Sequence, residues 1–246
     1  RPLRRKRFLK DIYEKRRTAM LECIALGRRY VRKTAVSDLN LMLDAGKIHV
    51  LLGENGSGKP TFLKMAAGLL KPSRGQILFQ GHPLSWRDRA KISWLSTESV
   101  FYDYMRVSDV EQYYADFFPD FDRERFSVLT QKLGLTDNPK VRNLSSGSGA
   151  KLRIAAALSR RAELFLLDEP LNGIDYKARE EIISLILETA DETNAFVIST
   201  HLLDEIESFA DRALFLKEGR LICDVDPEDE RERTGRSIVE LYREIM

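Results

Sequence analysis

The stretch GENGSGKPT, residues 53–61, follows directly on the apolar run Ile48-His49-Val50-Leu51-Leu52, and it constrains the fold more than any other part of the chain. From Gly53 through Gly58 to Lys59 it has the spacing G-x-x-x-x-G-K of a loop that joins a strand to a helix and holds phosphate. Glycines let backbone N–H groups close around phosphate oxygens, and the helix that follows turns its positive end toward the same anion. The expected nucleotide-contacting residues are therefore Gly53, Glu54, Asn55, Gly56, Ser57, Gly58, Lys59, Pro60 and Thr61, with the Lys59 ammonium on the outer phosphates. After the lysine this kind of loop places Ser or Thr, whose hydroxyl ligates magnesium. Here that position holds Pro60, and a threonine comes only one residue later.

The element pattern around the loop alternates between strand and helix. Strand-like runs are read at 21–27, 36–43 and 47–52, a helix from Lys59 through Leu70, and further strands at 76–79 and 91–95. From about 105 to 160 the pattern turns helical, punctuated by Pro119 and Pro139. Strands return at 164–167, 196–199, 213–216 and 221–223. The expectation is an α/β fold with an inserted helical stretch.

Two carboxylates end the apolar run Leu164–Leu167, in the order Asp168-Glu169-Pro170. Open α/β sheets bind ligands beyond the carboxyl ends of their strands. There Asp168 would reach magnesium, mostly through water, and Glu169 would polarise an attacking water. Ser145 and Gly147 lie in the small-residue turn LSSGS, which opens a further helix and forms a second anion-type N-terminus. His201 follows the strand Phe196–Ser199 and could bridge to a γ-phosphate.

Charge and cysteines add less. Residues 1–19 carry nine Lys or Arg against Asp11 and Glu14, a balance of +7 within a chain of net charge +2. This leader could meet nucleic acid or an anionic membrane surface, and the simpler expectation is a terminal extension outside the folded unit. Cys23 and Cys223 form no metal-spaced pair and read as thiols of a reducing cytoplasm. No run approaches the roughly 18–20 apolar residues of a membrane span.

Taken in order, the phosphate loop, the LSSG turn, DEP at 168–170, NGID at 172–175 and the strand-end His201 resemble the nucleotide-binding domain of ATP-binding cassette (ABC) transporters. The resemblance covers about residues 21–223. It implies a phosphate-loop NTPase core with a mostly parallel sheet, an antiparallel β subdomain and an α-helical subdomain at about 97–160. Residues 1–20 would then be a basic extension and 224–246 a short C-terminal segment. It also implies ATP and Mg2+ as cofactors and Tyr30 as the aromatic stacked on adenine. Glu169, His201 and Lys59 would be the catalytic groups, Ser145 and Gly147 nucleotide contacts, and Asp168 a metal ligand. Where the family has a glutamine after the strand KISWL, this chain has Ser96-Thr97-Glu98, so Thr97 is the nearest match for that metal contact.

In this family two domains pair head to tail, so the resemblance implies a second ABC subunit, identical or homologous, and a separate transmembrane permease. No nucleic-acid partner is expected. The placement would be cytoplasmic, on the inner face of the membrane, and the motif set looks like small two-component bacterial exporters. Three alternatives stay open: an impaired subunit that binds ATP and regulates a competent partner, a non-transport ABC protein, and another phosphate-loop enzyme.

Overall fold

The computed structural model describes residues 19–98, 100–203 and 208–246. The basic leader before Ala19 and the 204–207 part of the run after His201 lie outside the described residues. Strands β1 (Ala19–Arg29), β2 (Thr34–Asp44), β4 (Arg74–Phe79) and β5 (His82–Pro83) form an antiparallel sheet in the order β2-β1-β4-β5. A second sheet of six strands contains β3 (Lys47–Leu52), β6 (Ile92–Leu95), β7 (Leu164–Asp168), β8 (Ala195–Ser199), β9 (Arg212–Lys217) and β10 (Arg220–Val225). Its order is β10-β9-β3-β8-β7-β6, parallel except for the terminal β9–β10 hairpin.

The central strands are apolar on both faces, as a covered parallel sheet requires. Their alternate residues feed two separate cores. Ile48, Val50, Leu52, Phe165, Leu167, Phe196 and Ile198 enter one, and Leu51, Leu164, Leu166, Ala195 and Val197 the other. Phe165 and Phe196 stack on adjacent strands with centroids 4.5 Å apart. Helix α1 (Lys59–Ala66) buries Phe62, Leu63 and Met65 in the second core, together with Leu21, Leu26 and Val36 of the antiparallel sheet. It is shorter than the sequence pattern predicts. Gly68 adopts φ 67°, and the N–H groups of Leu69 and Leu70 both return to the Lys64 carbonyl, which stops the helix.

The inserted stretch contains α2 (Val107–Phe117), α3 (Arg123–Lys132) and α4 (Ser146–Leu158), packed on the first core through Val110, Phe126, Leu129 and Ile154. Arg160, just past α4, ties this unit to the sheet edge. Its guanidinium is buried, donates to Asp120, to the Ile92 carbonyl at 3.0 Å and to the Ala90 carbonyl, and lies 4.1 Å from the Phe118 centroid. After β7 comes α5 (Tyr176–Thr189), capped by Asp175. The segment after β10 is not a bare tail. It forms α6 (Pro227–Thr234) and α7 (Ile238–Ile245), and α7 buries Ile238 and Leu241 in the first core. Among the described residues no helix is long and apolar enough to cross a membrane.

Candidate nucleotide-binding and hydrolysis site

Strands β3, β7 and β8 run parallel, so their carboxyl ends open on the same edge of the sheet. The phosphate loop leaves β3 there and bends sharply into α1. Its glycines are required by close approach: a Cβ on Gly53 would stand 2.3 Å from the Leu216 carbonyl oxygen, and one on Gly58 2.2 Å from that of Ala35. Gly58 also takes φ 109°, which side-chain-bearing residues rarely adopt. The loop is closed by Ser57 N–H donating to the Glu54 carbonyl and held from below by Gly219 N–H donating to the Ser57 carbonyl.

The N–H groups of Gly56, Gly58 and Lys59 enter no hydrogen bond among the described residues. The buried Ser57 hydroxyl is likewise unpartnered. Unpaired donors at a helix N-terminus make a cradle for an anion, and no side chain caps α1. Lys59 is buried, and its ammonium donates to the Gly53 carbonyl at 2.6 Å, arching over the loop. Burial lowers its pKa, while the Glu169 and Asp168 carboxylates pull the other way. The residues fit a nucleotide's phosphate chain.

Pro60 is exposed in the first turn of α1, where a ring at fixed φ fits the helix and the missing N–H is one the helix would not use. The fold thus accepts the proline, but the position offers neither a hydroxyl nor an amide to a ligand.

Asp168 ends β7 and is 3% exposed. Its Oδ1 accepts from the Ser199 hydroxyl at 2.6 Å. Burial raises its pKa and the neighbouring Glu169 charge adds to the rise; the Ser199 bond, Lys59 and Lys64 oppose it. Glu169 follows at φ 48°, a left-handed conformation uncommon for a non-glycine residue. Its Oε1 lies 4.0 Å from the Lys59 ammonium and its Oε2 2.8 Å from Nδ1 of His201. The structure therefore brings Lys59, Asp168, Glu169 and His201 into one group.

For magnesium, a hard cation that keeps several waters and takes one or two carboxylates beside phosphate oxygens, the donor set offers the Asp168 carboxylate. Thr97 sits exposed in the loop after β6, two residues past the Leu95–Leu167 pair, and makes no hydrogen bond to Asp168. Among the described residues no cluster of three His, Cys, Asp or Glu forms a self-sufficient metal site. The set suits a metal held largely by the nucleotide itself.

The remaining predicted contacts divide into two groups. Tyr30, 43% exposed, closes the β1–β2 turn with Lys33 and has the Arg28 guanidinium 4.9 Å from its ring centroid. Lys33 ties that turn to the phosphate loop by donating to the Gly56 carbonyl at 3.2 Å, which the sequence reading did not foresee. Ser145 is the N-cap of α4, accepting from Ser148 N–H at 3.1 Å. A Cβ on Gly147 would stand 3.4 Å from the Gly173 carbonyl oxygen in the NGID turn. Among the described residues no hydrogen bond or ion pair joins Ser145 or Gly147 to Lys59, Glu169 or the phosphate loop.

A sequence profile described as ABC transporter matches residues 36–172, more than half of the chain. The lantibiotic transport ATP-binding protein SrtF of Streptococcus pyogenes is 31% identical over 206 residues, covering 83% of this chain and 90% of that protein. The ABC transporter ATP-binding protein YtrB of Bacillus subtilis is 29% identical, covering 84% of this chain and 73% of that one. A solved ATP-binding subunit of an ABC transporter superposes with a TM-score of 0.83 at 25% identity, over 92% of this chain and 98% of that one.

Proposed function

Because this chain belongs to the ABC transporter family, whose members bind and hydrolyse ATP, we propose that it is the ATP-hydrolysing subunit that powers a membrane transporter of the exporter kind. One observation carries the reading: Lys59, Asp168, Glu169 and His201 converge beside a loop in which the Gly56, Gly58 and Lys59 amides are unpaired among the described residues. The similarity to a lantibiotic transport ATP-binding protein supports the transport role.

In this reading Tyr30 stacks on the adenine, residues 53–61 surround the phosphates and Lys59 offsets their charge. Glu169 orients the attacking water and takes its proton, and His201 contacts the γ-phosphate. Magnesium, when bound, would neutralise charge on the transferring phosphoryl group; Asp168 and Thr97 would be its protein-side contacts. Among the described residues no hydrogen bond or ion pair joins Ser145 or Gly147 to the phosphate loop, which supports a head-to-tail pair in which each LSSG turn faces the partner's nucleotide. The pair works with a separate permease, the chain lying at the cytoplasmic face of the membrane. The domain limits proposed are an ATPase unit at 21–223 with its helical part at about 97–160, flanked by a basic extension and a C-terminal segment.

Pro60 supports a second reading, in which this subunit binds ATP but turns it over slowly and regulates a competent partner. The test of both is phosphate release by the purified chain across a magnesium titration, alongside nucleotide affinity. Failure to bind ATP sinks both readings. Binding with no turnover, alone or with a homologous subunit present, leaves the regulatory one.

A further inference from the structure

We propose that Ser199 is the positioning residue of the hydrolytic site, setting the direction of the Glu169 carboxylate through the backbone; the proposal rests on the ATPase reading above. Ser199 is the last residue of β8, fully buried, and it pairs across the sheet with Asp168. A hydroxyl has one hydrogen to give and two lone pairs to accept with. Here the hydrogen goes to Asp168 Oδ1 at 2.6 Å, and the oxygen accepts from Glu169 N–H at 2.9 Å. The Ser199 carbonyl accepts from the same N–H at 3.1 Å. One residue therefore holds both members of the acidic pair.

The bond to Glu169 is placed where it has most effect. At φ 48° the Glu169 backbone sits in a region that a residue with a Cβ leaves unless its surroundings hold it. Two acceptors on one N–H supply that hold. From this backbone setting the side chain reaches both His201, at 2.8 Å, and Lys59, at 4.0 Å. An ordinary extended conformation after Asp168 would send the carboxylate elsewhere. On Asp168 the same hydroxyl engages one oxygen and so fixes the carboxylate plane. Ser199 thus restrains the backbone from which the Glu169 side chain starts and one oxygen of the Asp168 carboxylate.

A residue that only completed the strand would affect stability alone. A positioning residue affects turnover at constant binding, as groups that orient reactive side chains do. The experiment compares the full chain with Ser199→Ala and Ser199→Thr, each also combined with Glu169→Gln. It measures kcat and KM for ATP, binding of a fluorescent ATP analogue without hydrolysis, and melting temperature. Expected for Ser199→Ala is a fall in kcat of about tenfold or more, with KM and analogue affinity within about threefold. Ser199→Thr, which keeps the hydroxyl, restores most of the rate. In the Glu169→Gln background Ser199→Ala changes the residual rate less than about twofold, because the group it aims is already lost. Wild-type turnover in Ser199→Ala overturns the proposal, as does a full additional loss in the double variant. Absence of ATP binding by the unaltered chain overturns the ATPase reading and this role with it; normal binding and turnover by the unaltered chain with no effect of Ser199→Ala removes the positioning role alone.

Discussion

Nδ1 of His201 lies 2.8 Å from Glu169 Oε2, while Lys59 Nζ stands 4.0 Å from the other oxygen of the same carboxylate. Glu169 is thus shared between an exposed imidazole and a buried ammonium, its side chain 14% exposed. Lys59 has two further acceptors, the Gly53 and Glu54 carbonyls. In the proposed reaction a γ-phosphate at the loop would compete for Lys59 and His201 and leave the Glu169 carboxylate to a water.

Glu169→Gln removes the charge and the basicity but keeps the shape. Nucleotide affinity is expected to hold, and turnover to drop by about 10²–10⁴-fold, the usual share of a general base. ATP should then trap a dimer visible by size-exclusion chromatography. Unchanged turnover would remove Glu169 from the role of base.

His201→Ala tests the contact to the γ-phosphate. The lost hydrogen bond to a charged group is worth about 1.5–3 kcal/mol, or roughly ten- to a hundredfold in rate. The loss should appear in kcat, with ADP affinity unaltered because ADP lacks the group His201 meets. Equal losses for ADP and ATP binding would assign His201 a structural part instead.

Pro60→Ser restores a hydroxyl and an N–H at once in the first turn of α1. Each is worth about 1.5–3 kcal/mol if fully expressed on a charged ligand. Magnesium-dependent turnover is expected to rise by at least about tenfold, or roughly 1.4 kcal/mol. Phosphate release across a magnesium titration reads it. Identical curves for the two forms would mean that Thr61 or another group already serves the metal, and the regulatory reading would lose its support.

Arg160→Met keeps the apolar stem and removes the guanidinium that joins Asp120 to the carbonyls of Ala90 and Ile92. Leaving buried acceptors unpaired costs on the order of 3 kcal/mol. For a chain of this size that is about 6–12 °C in melting temperature. A melting temperature within a degree or two of the original would show that water replaces the guanidinium there.

Legibility of the chain follows the range of the interactions. The strand β3, the loop after it and the Asp168-Glu169 end of β7 are read correctly because each is a local pattern with a local cause: apolar continuity, glycine spacing, paired acids. The helix after Lys59 is overextended because its stop depends on Gly68 turning left-handed and on two amides returning to Lys64, a feature the apolar run Leu69-Leu70 masks. The two-residue β5 carries too little pattern to be singled out, whereas α6 and α7 carry local start signals, Asp226-Pro227 and the Ser237–Glu240 capping box, that the sequence expectation passed over. Ser199 is invisible in sequence as a functional group. A serine at a strand end is ordinary until the parallel register sets it opposite Asp168. Lys33 is missed for the same reason, since only the folded turn brings it to Gly56.

The position of β3 in its sheet has a consequence for how the molecule is made. It pairs on one side with β8 and on the other with β9, and the loop rests on Gly219 through Ser57. The two strands that flank β3 and the Gly219 contact beneath the cradle are therefore encoded late, although the cradle and its Lys33 and Ala35 neighbours are encoded early. During synthesis at roughly 5–20 residues per second, the roughly 160 residues between Lys59 and Gly219 take about 8–30 s to follow. Through that interval a ribosome-bound chain presents GENGSGKPT without its floor, and the apolar run of β3 without either neighbour. Pairings this distant in sequence also form slowly once the chain is complete. Affinity for nucleotide should arise abruptly as the last quarter of the chain emerges, and nascent chains ending before β9 should need a chaperone to keep β3 covered.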